Sequence, residues 1–119
     1  MEDGAYSGCP FCRIVAGDAP AEIVHSSDRV VAFRDTNPQA PVHILLIPKK
    51  HVGSGAELED GHGDALAELF AAAAHLARAE GIDESGWRVV TNVGPDAGQS
   101  VEHLHFHLLG GRPMAWPPG

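Results

Sequence analysis

Positive charge is scarce in this chain. Eight Lys and Arg stand against sixteen Asp and Glu, a formal net charge of −8 with the histidines neutral. A nucleic-acid binder needs a basic footprint, so no nucleic-acid partner is expected. A phosphate-bearing small molecule stays open, because local N–H groups and imidazoles hold phosphate whatever the net charge. Long apolar runs are missing too. None approaches the roughly 20 residues that span a bilayer, so no membrane partner is expected. The opening MEDGAYSG is acidic and polar, without the basic start and apolar stretch of a secretory signal, which points to a cytoplasmic protein. Cysteine is limited to Cys9 and Cys12 in CPFC. A reducing compartment disfavours a structural disulfide between them.

Histidine is abundant by contrast, with eight in 119 residues. That length predicts one domain with a small but real core. We read residues 1–119 as a single domain, loose over 1–8 and ending in an extended tail over 112–119. PFCRIVAG reads as a short helix of about two turns, stopped by Gly17. EIVH and RVVAFR have strand composition, with Ser26, Ser27 and Asp28 as the hairpin turn. VHILLIP (42–48) is a dense apolar run, expected as a central strand buried on both faces and ended by Pro48. From about Asp60 to Glu80, Leu66, Leu69, Phe70, Ala73, Leu76 and Ala77 recur at helical spacing, and Gly81 supplies the stop. WRVVTNVG (87–94) reads as another strand and PDAGQS (95–100) as a tight Gly-rich loop. The fold class is α+β: about five antiparallel strands, one main helix on one face, and a short N-terminal helix.

Residues 103–109 read HLHFHLL. Side chains alternate along a strand, so His103, His105 and His107 share one face and Leu104, Phe106 and Leu108 take the other, under the helix. Three readings compete. A surface strand with polar residues outward does not account for histidine at all three positions. Metal binding suits a His-x-His pair, but same-face residues roughly 6.6–7 Å apart do not bring three rings to one point without curvature. Nucleophilic catalysis uses the neighbours as well. A neutral imidazole attacks phosphorus when one nitrogen is held as N–H and the other presents its lone pair. The loop GPDAGQS just before the strand offers N–H donors and the Ser100 hydroxyl.

HLHFHLL fits the His-φ-His-φ-His-φ-φ signature, and the chain resembles the histidine triad (HIT) family, Hint branch of nucleoside phosphoramidases. The resemblance runs from CPFCRIVAG to the end, through VAFRDTNPQAPVHILLIPKKH, VVTNVGPDAGQSVEHLHFHLLGGR and the terminal WPPG. It implies hydrolysis of purine nucleoside 5′-phosphoramidates, and by extension acyl-adenylates, through a nucleotidyl-histidine on His105. By the same resemblance His107 hydrogen-bonds the phosphate, and His43 helps set the protonation of the nucleophile. Ser100 lies near the leaving group. Asn92, Gly98 and Gln99 line the phosphate site, and Asp35 accepts from the ribose hydroxyls. Phe11, Ile14 and Phe33 match apolar positions near the base, and each fits plain core packing equally well. Trp116 matches a tail residue that approaches the partner's site in a homodimer. A purine nucleotide of AMP type is the implied ligand.

CPFC also looks like a redox C-x-x-C, which should follow a strand and open a helix in a parallel βαβ unit. No strand precedes it. A C-x-x-C pair is also half of a tetrahedral zinc site. The resemblance supplies His51 and His103 as the other half, making zinc structural and leaving the chemistry without a cofactor. The remaining option is two small apolar residues covering a sheet edge. If His103 holds zinc, proton donation to the leaving group falls to Ser100, His43 or water. Three rival functions remain: a nucleotide-binding scaffold with little turnover, a dinucleoside polyphosphate hydrolase or nucleotidyltransferase of a sister branch, with His107 against the transferase, and a zinc-dependent hydrolase.

Overall fold

The computed structural model of the chain describes residues 8–119, so the expected loose start lies outside them except for Gly8. Helix α1 spans Pro10–Val15. Pro10 opens it, where a missing N–H costs nothing, and the Cys9 thiolate or thiol caps it by accepting from the Cys12 N–H at 3.3 Å. Gly17 ends the turn at φ +80°, a conformation that suits glycine. Strands β1 (Ile23–Ser26) and β2 (Val30–Arg34) form the expected hairpin. Strand β3 (Val42–Pro48) is buried along its whole length. Helix α2 spans Gly63–Ala79 and is preceded by short 3₁₀ turns at Gly55–Glu57 and Asp60–His62. Strands β4 (Trp87–Val90) and β5 (Phe106–Gly110) complete one antiparallel sheet in the order β1-β2-β3-β5-β4.

The alternation of β3 divides the core. Ile44 and Leu46 face α2, where they meet Val30, Ala32, Leu69, Ala73, Leu76, Leu104, Phe106 and Leu108. Leu45 and Ile47 face the other way and pack with Val31, Phe33 and Phe11 of α1. Each such large aliphatic side chain contributes roughly 1.5–3 kcal/mol by leaving water. Helix α2 seals one face with its Leu and Ala stripe, and α1 covers only part of the other. The uncovered part of that second face holds the site.

Four expectations need adjustment. The stretch read as one helix from Asp60 begins with a 3₁₀ turn, because Gly61 and Gly63 give poor helix propensity. WRVVTNVG pairs only through Val90 and then leaves the sheet. HLHFHLL is not a strand throughout. Its ladder begins at Phe106, opposite Leu46, and it is preceded by a bend that includes His103 and by Leu104 and His105 without ladder bonds. The face alternation nevertheless holds, because the three leucine and phenylalanine side chains are all buried under α2. Phe70, read as core-facing, is 46% exposed and touches Phe106 edge-on at 5.5 Å. No helix among the described residues is long and apolar enough to cross a membrane.

Candidate active site and metal centre

The site face of the sheet carries a chain of oriented imidazoles. The Gln39 backbone N–H donates to His43 Nδ1 at 3.0 Å. That nitrogen is therefore an acceptor, and the His43 proton sits on Nε2. His43 Nε2 lies 2.9 Å from His107 Nδ1, so it donates there. His107 in turn keeps its proton on Nε2. The two rings reach each other as diagonal neighbours of β3 and β5, where Leu45 is opposite His107. Burial pulls the His43 pKa down, opposed by the nearby Asp35 carboxylate, whose Oδ2 lies 3.4 Å from Nε2. The His107 pKa is lowered to about 4, first by burial and then by His105 and His43. Both rings are thus neutral at pH 7.

His105 is oriented by a different partner. Its Nδ1 lies 2.7 Å from the His103 carbonyl oxygen, so Nδ1 bears the proton and Nε2 bears the lone pair. The Phe11 ring meets it edge-on at 5.1 Å, and His107 lies at the same centroid distance. The Thr91 hydroxyl donates to the His105 carbonyl at 2.8 Å and holds the chain from the β4 side.

These rings border a cavity of about 330 Å³ between α1 and the sheet. Seven sequence-predicted residues line it: Phe11, Ile14, Phe33, Asp35, Ser100, His105 and His107. Asp35 stands at the polar end, with Oδ1 accepting from the Asn37 N–H at 2.8 Å. His43 lies behind His107 and does not border the cavity. Gln99 turns into its own loop, accepting from the Gly94 N–H at 3.0 Å and donating to the carbonyls of Gly53 and Val101 at 2.9 and 3.0 Å. Gly98 supplies the turn at φ +85°. Asn92, Gly98 and Gln99 are not among the lining residues, and Trp116 stands 82% exposed on the tail. Sequence reasoning missed Thr91, the Gln39 amide and the lining residues Pro20, Ala21, Arg34, Thr36, Leu45 and Val101. A Thr in strand composition and a backbone N–H carry no local signal of such roles.

A second cluster lies alongside. The Sγ atoms of Cys9 and Cys12 and ring nitrogens of His51 and His103 lie within 4.8 Å of one another. His51 Nδ1 is 3.1 Å from Cys12 Sγ, and His103 Nδ1 is 3.4 and 3.5 Å from the two sulfurs. The His103 Nε2–H donates to the Pro48 carbonyl at 2.9 Å, which leaves Nδ1 as a lone pair aimed at the thiols. Burial lowers the His103 pKa to about 4, so this nitrogen stays unprotonated and ready to ligate. Two thiols and two imidazoles, with one imidazole fixed by a backbone carbonyl, are a donor set suited to tetrahedral zinc. Neither nitrogen of His103 points at the cavity.

Comparison with known proteins shows the family. The HIT domain pattern matches residues 16–114. The chain is 49% identical over 111 residues to the 14 kDa zinc-binding protein of Brassica juncea, covering 92% of this chain and 97% of that one. It is equally 49% identical over 111 residues to adenylylsulfatase HINT1 of Arabidopsis thaliana, covering 92% of this chain and 75% of that one. Among solved structures, a HIT family hydrolase from Legionella pneumophila superposes with a TM-score of 0.92 at 48% identity, covering 94% of this chain and all of that one (100%). The chain belongs to the HIT domain family and stands among its Hint-type members.

Proposed function

We propose that the protein hydrolyses purine nucleoside 5′-phosphoramidates through a covalent intermediate on His105. The observation that carries this reading is the 2.7 Å bond from His105 Nδ1 to the His103 carbonyl, which leaves the lone pair on Nε2 beside the cavity. In the first step Nε2 bonds to the α-phosphorus as the P–N bond of the substrate breaks. The amine departs with a proton, and Ser100 is the lining hydroxyl closest in kind to that task. In the second step water bonds to phosphorus, the histidyl P–N bond breaks, and the nucleoside monophosphate leaves. His107 Nε2–H is the donor for the phosphoryl oxygens, held in that tautomer by His43. Asp35 takes the ribose hydroxyls, and Phe11, Ile14 and Phe33 border the base. Asn92, Gly98 and Gln99 shape the phosphate loop from outside the cavity.

The name of the Arabidopsis relative favours a second substrate class, a mixed anhydride of AMP, in which the P–O bond to the leaving group breaks instead. The same nucleophile serves both. Incubating the protein with an adenosine phosphoramidate and with adenylyl sulfate, with mass spectrometry of the quenched chain, tests the reading. An AMP-weight adduct on His105 supports it. AMP release that persists unchanged in His105→Asn refutes it.

The Cys9, Cys12, His51 and His103 cluster would hold a structural zinc ion, consistent with the name of the Brassica relative. When bound, the ion supplies a cross-link between α1 and the chain before β5. We further propose a homodimer. Strand β4 leaves an edge of the sheet open, and the exposed Trp116 needs a surface to cover it.

A further inference from the structure

We propose that His103 is a positioning residue that couples the cysteine–histidine cluster to the nucleophile. Its imidazole belongs to the cluster, and its carbonyl holds the Nδ1–H of His105. The proposal deepens the reading of His105 as nucleophile and rests on it.

The sheet ladder stops short of His103. A residue inside a ladder has its carbonyl placed by cross-strand hydrogen bonds. The β5 ladder begins only at Phe106, so the His103 carbonyl has no such support. The peptide joining His103 to Leu104 is held by other means. Its N–H donates to the Val52 carbonyl at 2.6 Å. Val52 directly follows His51, whose Nδ1 is 3.1 Å from Cys12 Sγ. The carbonyl of the same peptide, that of His103, accepts from the His105 Nδ1–H. The ring of His103 itself is fixed between the Pro48 carbonyl and the two sulfurs.

Both ends of this one peptide therefore lead to the cluster, one through the ring of His103 and the other through His51 and Val52. His103 is fully buried, so a shift of its ring has no solvent-side freedom in which to be absorbed. The plane of the peptide must follow. A tilt of the carbonyl weakens the 2.7 Å bond, lets His105 exchange tautomers, and removes the lone pair from Nε2 for part of the time. Phe33 and Asp35, on and just after β2, take no part in this connection, whereas Phe11 and Ile14 flank Cys12 on α1 and Phe11 packs on both rings. Occupancy of the cluster should then change the formation of the adduct far more than the binding of nucleotide.

The test compares three forms of the full-length chain: zinc-loaded, cadmium-substituted, and freed of metal by a chelator. Three quantities are read in each. They are the His105 ring signals in long-range ¹H–¹⁵N spectra, the single-turnover rate constant of adduct formation, and the Kd for AMP. The expected result is a tautomer shift of His105 and a fall in adduct rate of about tenfold or more on metal removal. The AMP Kd should change by a clearly smaller factor than the adduct rate. Cadmium, with longer bonds to sulfur and nitrogen, should fall between. If the metal-free chain unfolds, the zinc and cadmium forms decide by the same signals. His105 signals that are identical in every folded form overturn the proposal. Absence of any adduct in the zinc form overturns the nucleophile reading instead, and the ring signals still judge the coupling.

Discussion

His43 Nε2 and His107 Nδ1 are 2.9 Å apart, and the backbone N–H of Gln39 closes the other side of His43 at 3.0 Å. One amide, placed by a turn, thus sets the tautomer of a ring two steps away and directs a proton into the cavity. Asp35, 3.4 Å from His43 Nε2, adds a negative charge near the pair without taking the proton. Removing the middle member should release the last. His43→Phe is expected to lower kcat by about 10–100-fold, with a smaller change in KM, and His43→Gln should recover part of the loss. Steady-state kinetics on an adenosine phosphoramidate checks this, and equal kcat in all three proteins would contradict it.

The same burial makes stability depend on pH. His107 titrates near 4 in the folded chain and near 6.5 when unfolded. Between those values only the unfolded chain takes up the proton. Stability from this group is therefore complete above about pH 6.5 and is lost as pH falls towards 4, a loss on the order of 1–3 kcal/mol. Denaturant unfolding at several pH values reads it. His107→Gln should flatten that part of the curve, and an unchanged slope in the variant would assign it to other groups.

Asp35 keeps one carboxylate oxygen on the Asn37 N–H. Asp35→Asn preserves this cap through its carbonyl oxygen but weakens acceptance from ribose hydroxyls. KM should rise by about tenfold or more for a ribonucleoside substrate and little for a 2′,3′-dideoxy one. Equal effects on both substrates would remove Asp35 from ribose recognition.

His105→Asn should leave the fold intact, because the loss is confined to a ring at the edge of a cavity. Adduct formation should disappear and kcat/KM should fall by about a thousandfold or more. AMP binding, followed by calorimetry, should persist.

Cys12 is fully buried at the centre of the cluster. Cys12→Ser is expected to cut zinc content from one ion per chain, measured by atomic absorption, to a small fraction. The Tm should drop by about 5 °C or more, because binding free energy is folding free energy at such a site. Full zinc retention in the variant would exclude Cys12 as a ligand.

Much of the arrangement was legible in the residue order. Period-two spacing in HLHFHLL separates three histidines from three apolar side chains, and it does so even where the ladder is absent. The apolar run Val42–Pro48 reads directly as the central strand, and the Leu and Ala stripe reads as α2. These are local patterns, set by the repeat of the backbone itself. The extent of pairing was not legible. Whether residue 103 or 106 begins the ladder depends on how far β3 runs beside it, and that is a fact about the partner strand.

Tertiary structure alone decided the protonation states and the meeting of the cluster. Cys9 and His103 are 94 positions apart, and only the packing of α1 on the sheet brings them to 3.4 Å. The proton positions on His43, His103, His105 and His107 depend on backbone groups of Gln39, Pro48 and His103. Every residue but proline carries an N–H, and every residue carries a carbonyl, so no sequence pattern marks the few that end up beside an imidazole. Residue order thus determined which side chains share a face. The fold determined which nitrogen of each ring holds its proton, because that choice belongs to whichever backbone group the packing places against it.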